Sequence, residues 1–250
     1  METAPIGPAI RAWHRMLPVQ TAFEALATHV RFEHGDSIYQ SASSEDFCYR
    51  VLSGAVRKCA VTSGGHRRIV DFLLPHDLFG LGEDRRHRFA LEASVNDTTI
   101  ARYPRSFIER LADSDPRVAR QIREAACASI DRLEGRMLIL GLGRARERVC
   151  AFLLDLAGRL DHRRSEAEIC LPMSRYDIAD YLAMAVETVS RVLTQLRLEG
   201  VIYLSSQRSV RICDWDALQW NCAATRSVSP RLRASGSCIA ASRGTMAYSA

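Results

Sequence analysis

The feature that most constrains the fold of this chain is the segment 174–197, whose pattern predicts two short helices joined by a tight turn. Ser174, with Asp177 three residues later, is typical of a helix start, because each side chain can cap the other's backbone N–H. Two crossing helices also need a small residue where they pack, a residue that tolerates the turn and an apolar anchor in the second helix. Ala179, Ala183 and Val189 fill these three positions in that order. Glycine is more usual at the turn, so a positive φ at Ala183 would cost about 1 kcal/mol. The segment predicts a helix-turn-helix.

The second of these helices is expected to begin near Val186 and to present a polar face outward. Its inward positions are Val189, Val192, Leu193 and Leu196. Its outward positions are Glu187, Thr188, Ser190, Arg191 and Thr194. Arginine can donate two hydrogen bonds to a guanine edge and glutamate can accept one from cytosine, so Glu187, Ser190 and Arg191 are candidate base-reading residues. The alternative is an ordinary exposed ion pair between Glu187 and Arg191, which lie one helical turn apart.

The residues that follow the second helix favour DNA binding over a simple ion pair. Gly200 is placed to end the helix. Residues 201–212 then predict a β-hairpin, and a hairpin directly after a helix-turn-helix is a wing. We therefore expect a site for double-stranded DNA in which Ser174, Thr188 and Arg208, the last at the tip of the wing, position the phosphate backbone.

A long helix is predicted upstream, with Asp115 as its N-cap and Pro116 in its first position. The helix is expected to end at Gly141 or Gly143. Apolar residues recur along it at spacings of four and three, as in a coiled-coil seam, at Ala126, Ile130, Leu133, Met137 and Leu140. This pattern indicates a partner helix and hence a homodimer. The alternative is that the stripe packs on the chain's own N-terminal domain.

Residues 27–110 are expected to be all-β, since short apolar segments alternate with turn signals such as Gly54 and Gly80. The predicted fold class is α+β: a jelly-roll-like β-roll, a long helix and a C-terminal winged helix-turn-helix. The expected divisions are 1–26 as an N-terminal segment, 27–114 as the β-roll, 115–143 as the dimerisation helix, 144–220 as the DNA-binding domain and 221–250 as a disordered basic tail.

Charge and cysteines say less about function than these patterns do. The net charge is +5, but residues 221–250 hold four arginines and no acid, which leaves +1 for the remaining residues. The eight cysteines include no Cys-x-x-Cys pair, so we expect buried thiols rather than a metal site. Cys222 and Cys238 are expected to be exposed in the tail.

No enzyme motif, membrane-spanning run or signal peptide is evident, which predicts a cytoplasmic protein that is not an enzyme.

Over roughly residues 25–220 the chain resembles the Crp/Fnr superfamily of bacterial transcription regulators, and is most similar to its FixK-like and FNR-like branch. The resemblance rests on segments 35–39, 51–57 and 74–80, and above all on 177–182 and 186–191. FNR-type recognition helices contain Glu-x-x-Ser-Arg, matched here by Glu187, Ser190 and Arg191. The resemblance implies a homodimeric regulator, an activator by analogy, which binds a TTGAT-N4-ATCAA-like palindrome, contacts RNA polymerase and serves low-oxygen or nitrogen metabolism.

The resemblance leaves the control of DNA binding open. A cyclic nucleotide would need a phosphate-binding arginine, which Arg88 could mimic, but Phe89 replaces the usual hydroxyl residue. A 4Fe–4S centre would need N-terminal cysteines, and none precedes Cys48. Haem or another small effector remains an alternative. The FixK-like interpretation needs no cofactor, and control would then come from the protein's amount or from oxidation of Cys170 or Cys213.

Overall fold

The computed structural model describes residues 27–40, 46–61, 64–81, 88–160 and 168–222. The expectations for segment 1–26, for Cys238 and for residues 223–250 of the tail lie outside these residues. Within these residues the order is eight strands, three helices, a short strand, two further helices, a hairpin and a last helix. The fold is therefore α+β, with the β-roll, long helix and winged helix-turn-helix in the expected order.

Two four-stranded antiparallel sheets form the β-roll and pack face to face. Their orders are β1-β8-β3-β6 and β2-β7-β4-β5. The strands are β1 (Thr28–Phe32), β2 (Ser37–Tyr39), β3 (Phe47–Ser53), β4 (Val56–Val61), β5 (Arg67–Leu73), β6 (Leu78–Phe79), β7 (Ala90–Ala93) and β8 (Thr98–Pro104). Neighbouring residues of β5 point to opposite faces. Leu73 packs between the two sheets, whereas Phe72 packs outward against the helices.

Two of the predicted turn glycines adopt positive φ angles that side chains rarely allow. Gly54 joins β3 to β4 with φ 79°, and a Cβ at this residue would lie 2.5 Å from Thr98 Oγ1. Only glycine fits this turn without displacing the neighbouring strand. Gly80 also has a positive φ, and a Cβ there would lie 2.9 Å from the Phe47 carbonyl oxygen.

The expectation that residues 27–110 are all-β is wrong at its end, since helix α1 spans Arg105–Ser114. Its apolar residues are closely spaced, and Ile108 is buried against the outside of the first sheet. Helix α2 spans Pro116–Gly141. Asp115 caps it as predicted, because its side chain accepts a hydrogen bond from Arg117 N.

The C-terminal domain contains four helices and a small sheet. Its elements are α3 (Ala145–Arg159), β9 (Ile169–Cys170), α4 (Arg175–Tyr181), α5 (Val186–Leu198), β10 (Ile202–Ser206), β11 (Ser209–Ile212) and α6 (Trp215–Trp220). The sheet order is β10-β11-β9. Helices α4 and α5 are the predicted pair, and β10 and β11 form the predicted wing.

A single hydrophobic core joins the C-terminal domain to the roll. It contains Ile69 and Phe72 from β5 together with Phe152, Ile178 and Leu196 from the helices. Cys222, expected to be exposed, is 4% exposed in this core, so that expectation is wrong. It is buried because α6 packs against α3 and the chain stays attached just after this helix, where Cys222 N donates to Gln219 O at 3.1 Å. Within the described ranges no helix is long and apolar enough to cross a membrane.

Candidate nucleic-acid interface

The first helix of the pair, α4, begins with the predicted reciprocal cap. Ser174 Oγ accepts from Asp177 N at 3.1 Å and donates to Asp177 Oδ2 at 2.7 Å. The same carboxylate accepts from Ser174 N at 3.0 Å. The Ser174 hydroxyl is thus used in holding the helix start, and its contact with a DNA backbone stays a prediction.

The turn between α4 and α5 has a positive φ at Ala183, the position where glycine is more usual. Ala183 has φ 52°, in the left-handed region that glycine favours. Met184 N donates to Ala179 O at 3.0 Å, which closes the turn. Ala179, where the helices cross, is 4% exposed, and Val189, the apolar anchor of α5, is 0% exposed. The turn therefore brings α5 across α4 at the cost of one unfavourable backbone conformation.

Helix α5 buries its apolar face and exposes its polar face. The four predicted inward residues, Val189, Val192, Leu193 and Leu196, are all buried. Glu187, Ser190 and Arg191 are exposed, and Thr188 is half-buried. In the part of the chain that the structure describes, Glu187 and Arg191 form no ion pair with each other, so the ion-pair alternative is not what the structure shows. Their side chains are available to an external partner.

A shallow groove runs along the exposed face of α5 beyond the residues that the sequence singles out for base reading. Its lining comprises Ser190, Arg191, Thr194, Gln195 and Leu198. Gln195 and Leu198 were not singled out by the sequence reasoning, although their spacing of four and seven residues from Arg191 is the signal that places them on its face. The Thr194 hydroxyl donates to Ser190 O at 2.9 Å, so it is engaged within the helix.

Two further arginines belong to the wing and to the start of α4. Arg208 is exposed at the tip of the wing, and its backbone carbonyl accepts from Leu171 N at 2.7 Å, which fixes the tip to β9. Arg175, at the start of α4, also escaped the sequence reasoning. Burial lowers the pKa of its guanidinium, and its Nη1 has no hydrogen-bond partner among the described residues. Arg208 is therefore a cation that phosphate can reach, whereas the Arg175 guanidinium is held largely within the protein.

The two cysteines proposed as redox sites lie at the wing. Cys170 pairs with Ser209 across β9 and β11, and Cys213 directly follows β11. Both thiols are exposed, whereas Cys150 is buried, and this burial raises its pKa to about 12. An oxidant would therefore reach the wing thiols in preference to the core thiol.

The predicted dimer seam is an exposed apolar stripe on α2. Ile130, Leu133 and Met137 expose 55%, 39% and 72% of their surfaces. Ala126 is also exposed and Leu140 is half-buried. As far as the structure describes the β-roll, the stripe does not pack on it. The roll instead contacts a different face of α2, through the arginines Arg132 and Arg136.

Aromatic side chains fill the space between the two sheets of the roll. Tyr49 stacks on Phe79 with ring centroids 5.1 Å apart, and Tyr39 lies 5.4 Å from Tyr49. Arg88, which could mimic the arginine that binds the phosphate of a cyclic nucleotide, is exposed. The preceding residues, 82–87, are not among those that the structure describes. No cluster of three metal-binding side chains occurs in the ranges that the structure describes.

Comparison with known proteins agrees with this architecture. Residues 29–115 match the cyclic nucleotide-binding domain family, and residues 147–219 match the Crp-like helix-turn-helix domain family. The chain is 40% identical to the nitrogen fixation regulation protein FixK of Azorhizobium caulinodans, over 78% of this chain and 79% of that protein. It is 36% identical to FixK of Rhizobium meliloti, over 76% and 85%.

A solved structure shows the same arrangement of elements. FixK2 from Bradyrhizobium japonicum superposes with a TM-score of 0.72 at 37% identity, covering 79% of this chain and 98% of that one. The extent of these matches and the geometry of α4, α5 and the wing lead to one assignment. The chain belongs to the Crp/Fnr family of transcription regulators, within its FixK-like group.

Proposed function

We propose that the protein is a homodimeric, sequence-specific activator that binds a TTGAT-N4-ATCAA-like palindrome in the cytoplasm, contacts RNA polymerase and acts in low-oxygen or nitrogen metabolism. The observation that carries this proposal is the exposed face of α5, where Glu187, Ser190 and Arg191 stand clear of the core and form no ion pair with each other. Two relatives with 40% and 36% identity are named as nitrogen fixation regulators, which supports the proposed circuit.

The roles of the individual residues follow from their chemistry. Arg191 donates to a guanine edge and Glu187 accepts from a cytosine amine, while Ser190 completes the base contacts. Ser174, Thr188 and Arg208 orient the helix on the phosphate backbone. Each correct base contact favours the matched site over a mismatched one by about 1–3 kcal/mol.

The dimer is proposed from the apolar stripe on α2. An exposed stripe that includes Ile130 and Met137 gains stability when a second copy buries it. A parallel pair of α2 helices would carry one α5 on each side. Two recognition helices about 34 Å apart then fit the two halves of a palindrome.

DNA binding without a cofactor is the second part of the proposal. The roll carries the fold of a ligand-binding domain, but Tyr39, Tyr49 and Phe79 occupy the space between its sheets. A ring-sized effector would have to displace this aromatic cluster. We therefore propose that the roll acts without a cyclic nucleotide or an iron–sulfur cofactor.

Regulation by oxidation is proposed for the wing, since Cys170 and Cys213 are both exposed there. Oxidation adds polar bulk beside the strands that hold Arg208. Peroxide treatment should lower the DNA affinity of the parent and leave the Cys170→Ser plus Cys213→Ser double variant unchanged. An equal loss in both proteins would end this part of the proposal.

The direct test is fluorescence anisotropy with purified protein in reducing buffer, at fixed salt and with no added ligand. One duplex carries TTGAT-N4-ATCAA and the other a TGTGA-type palindrome. Tight binding to the first alone is the expected result. Weak binding to both duplexes would favour an effector-dependent sensor and contradict the cofactor-free proposal.

A further inference from the structure

The first helix of the helix-turn-helix, α4, is tied to the β-roll through both of its aspartates. Asp177 Oδ1 accepts from Arg57 Nη1 at 3.2 Å. Asp180 Oδ1 accepts from Arg68 Nη1 at 2.8 Å, and its Oδ2 accepts from the backbone N of Ile69 at 2.6 Å. The first contact comes from β4 and the other two from β5, so the hairpin of the roll holds one side of α4.

The ion pair at Arg57 is shielded from solvent and extends into the roll. The side chains of Arg57 and Asp177 are 13% and 11% exposed. Arg57 also donates to Glu92 Oε2 at 2.8 Å, and the Glu92 side chain is 15% exposed. Removing the arginine would leave the poorly solvated Asp177 carboxylate without its counter-charge, which is strongly unfavourable, whereas Glu92 would keep its ion pair with Arg67. Arg68 is 65% exposed, so its pair with Asp180 is weaker.

A third arginine ties the long helix to both partners. Arg136 of α2 donates to Val70 O at 2.8 Å, to Ile69 O at 2.9 Å and to Tyr181 O at 3.2 Å. Its guanidinium also lies 4.6 Å from the centre of the Tyr181 ring. One side chain therefore joins α2, strand β5 and the end of α4.

These polar contacts add to the hydrophobic core that the two domains share, in which the ring centroids of Phe72 and Tyr181 lie 5.2 Å apart. Helix α2 ends at Gly141 and α3 begins at Ala145, with an extended backbone at Leu142 between them. The orientation of α4 relative to α2 must therefore come from side-chain contacts. The reading face of α5 lies away from these contacts and stays exposed.

We infer that Arg57, Arg68 and Arg136 are positioning residues for DNA binding. They hold α4 on the roll, and through α4 they fix the recognition helix relative to the dimerisation helix. Two such helices in a dimer are then set at the spacing of the two half-sites without an effector. The inference rests on the proposed dimer and palindrome and adds the contacts that set their geometry.

The test compares four variants with the parent: Arg57→Gln, Arg136→Gln, Arg68→Gln and a control, Arg31→Gln. Arg31 pairs with Asp97 within the roll and lies on β1, in the sheet that does not contain β4 and β5. Each protein is titrated by fluorescence anisotropy against a single half-site and against palindromes with spacers of three to six base pairs. A thermal melt of each variant identifies any that fails to fold.

We expect the Arg57→Gln and Arg136→Gln variants to lose on the order of tenfold in affinity for the four-base-pair spacer. Their preference among spacers should flatten, while half-site binding stays within about twofold of the parent, since the reading face is intact. Arg68→Gln should change in the same direction by less, and Arg31→Gln should match the parent. A general loss of stability would lower half-site binding as well, so the spacer profile separates positioning from folding.

Two results would overturn the inference. One is a parental affinity and spacer preference in the folded arginine variants. The other is tighter binding in those variants, which would make the contacts inhibitory. If Arg57→Gln and Arg136→Gln do not fold, Arg68→Gln and Asp180→Asn decide the question. Failure of the parent to prefer any palindrome is a different result, because it refutes the proposed function before the variants are compared.

Discussion

Helices α2 and α5 each expose one complete face, but the two faces have different chemistry. The face of α2 presents Ile130 and Met137, which expose 55% and 72% of their surfaces. The face of α5 presents Glu187, Ser190 and Arg191. Exposed apolar surface is stabilised by another apolar surface, whereas exposed polar groups gain from a partner with matching donors and acceptors. The difference indicates a second copy of the chain for α2 and a nucleic acid for α5.

Neither exposed face has a uniform chemistry. Leu198, at the end of α5, is 77% exposed, so the α5 face is not wholly polar. Glu134 lies on the exposed side of α2, so its face is not wholly apolar. The assignment of each face therefore depends on its central residues, and it is these that the following variants change.

The largest effect is expected when the face of α2 is made charged. Met137→Glu combined with Ile130→Glu places carboxylates in the proposed seam, where burial would be strongly unfavourable. The protein should become monomeric and its affinity for the palindrome should fall about a hundredfold, or roughly 3 kcal/mol. Sedimentation velocity and anisotropy measure the two changes.

Trp220→Glu is the matched control for this variant. Trp220 is a 73% exposed apolar residue at the end of α6, a helix that packs against α3. It should leave both the mass and the affinity at parental values. A dimeric double variant would show that the stripe on α2 is not the seam.

On the α5 face, Arg191→Ala should weaken binding by about 1–3 kcal/mol and relax base preference at one position of each half-site. Arg197→Ala is the control, since it removes an equal charge from a different side of the same helix. It should lower affinity for all duplexes alike. Binding to a set of single-base variants of the palindrome distinguishes the two, and an unchanged preference in Arg191→Ala would remove this residue from the reading face.

A smaller effect is expected at the turn that places α5. Ala183 has φ 52°, which costs an L-residue about 1–2 kcal/mol. Ala183→Gly should raise the free energy of unfolding by about 0.5–1 kcal/mol, because part of the relief is offset by the greater freedom of glycine in the unfolded chain. Ala128→Gly, in the exposed middle of α2, should instead lower it by about 0.5–1 kcal/mol. Denaturant titration measures both, and a destabilised Ala183→Gly protein would contradict the strained turn.

The smallest effect is a change in thiol alkylation rate. Cys127 lies on the exposed side of α2, and Cys213 lies at the wing. If a second copy covers α2, Cys127 should react more slowly in the parent than in the Met137→Glu and Ile130→Glu double variant, while Cys213 reacts equally in both. Cys150 should stay unreactive near neutral pH, since burial raises its pKa to about 12. Mass spectrometry of the alkylated peptides gives the rates, and equal rates at Cys127 would count against a covered face.

Local patterns explain why the helix-turn-helix could be predicted nearly to the residue. The start of α5 at Val186, its four buried positions and the strained Ala183 follow from periodicity and turn chemistry within a short segment. The wing followed in the same way from Gly200 and the alternating residues after it. Each of these features is determined by neighbours in the chain.

Features that depend on distant contacts were missed. The pair of Arg57 and Asp177 joins residues 120 positions apart, and no local pattern indicates it. Helix α1 was included in the β region because its short apolar run resembles a strand. Cys222 was assigned to the tail by composition, although α6 buries it in the core. Burial of this kind is decided by which elements meet, which one sequence does not reveal.

The most direct test of the account is the stoichiometry of the complex with DNA. Sedimentation velocity of a labelled TTGAT-N4-ATCAA duplex with the purified protein, in reducing buffer and with no effector, reports both binding and the number of chains bound. The account predicts two chains per palindrome, bound together, and a loss of this species in the Met137→Glu and Ile130→Glu double variant. A single bound chain, or a dimer that leaves the duplex free, would contradict it.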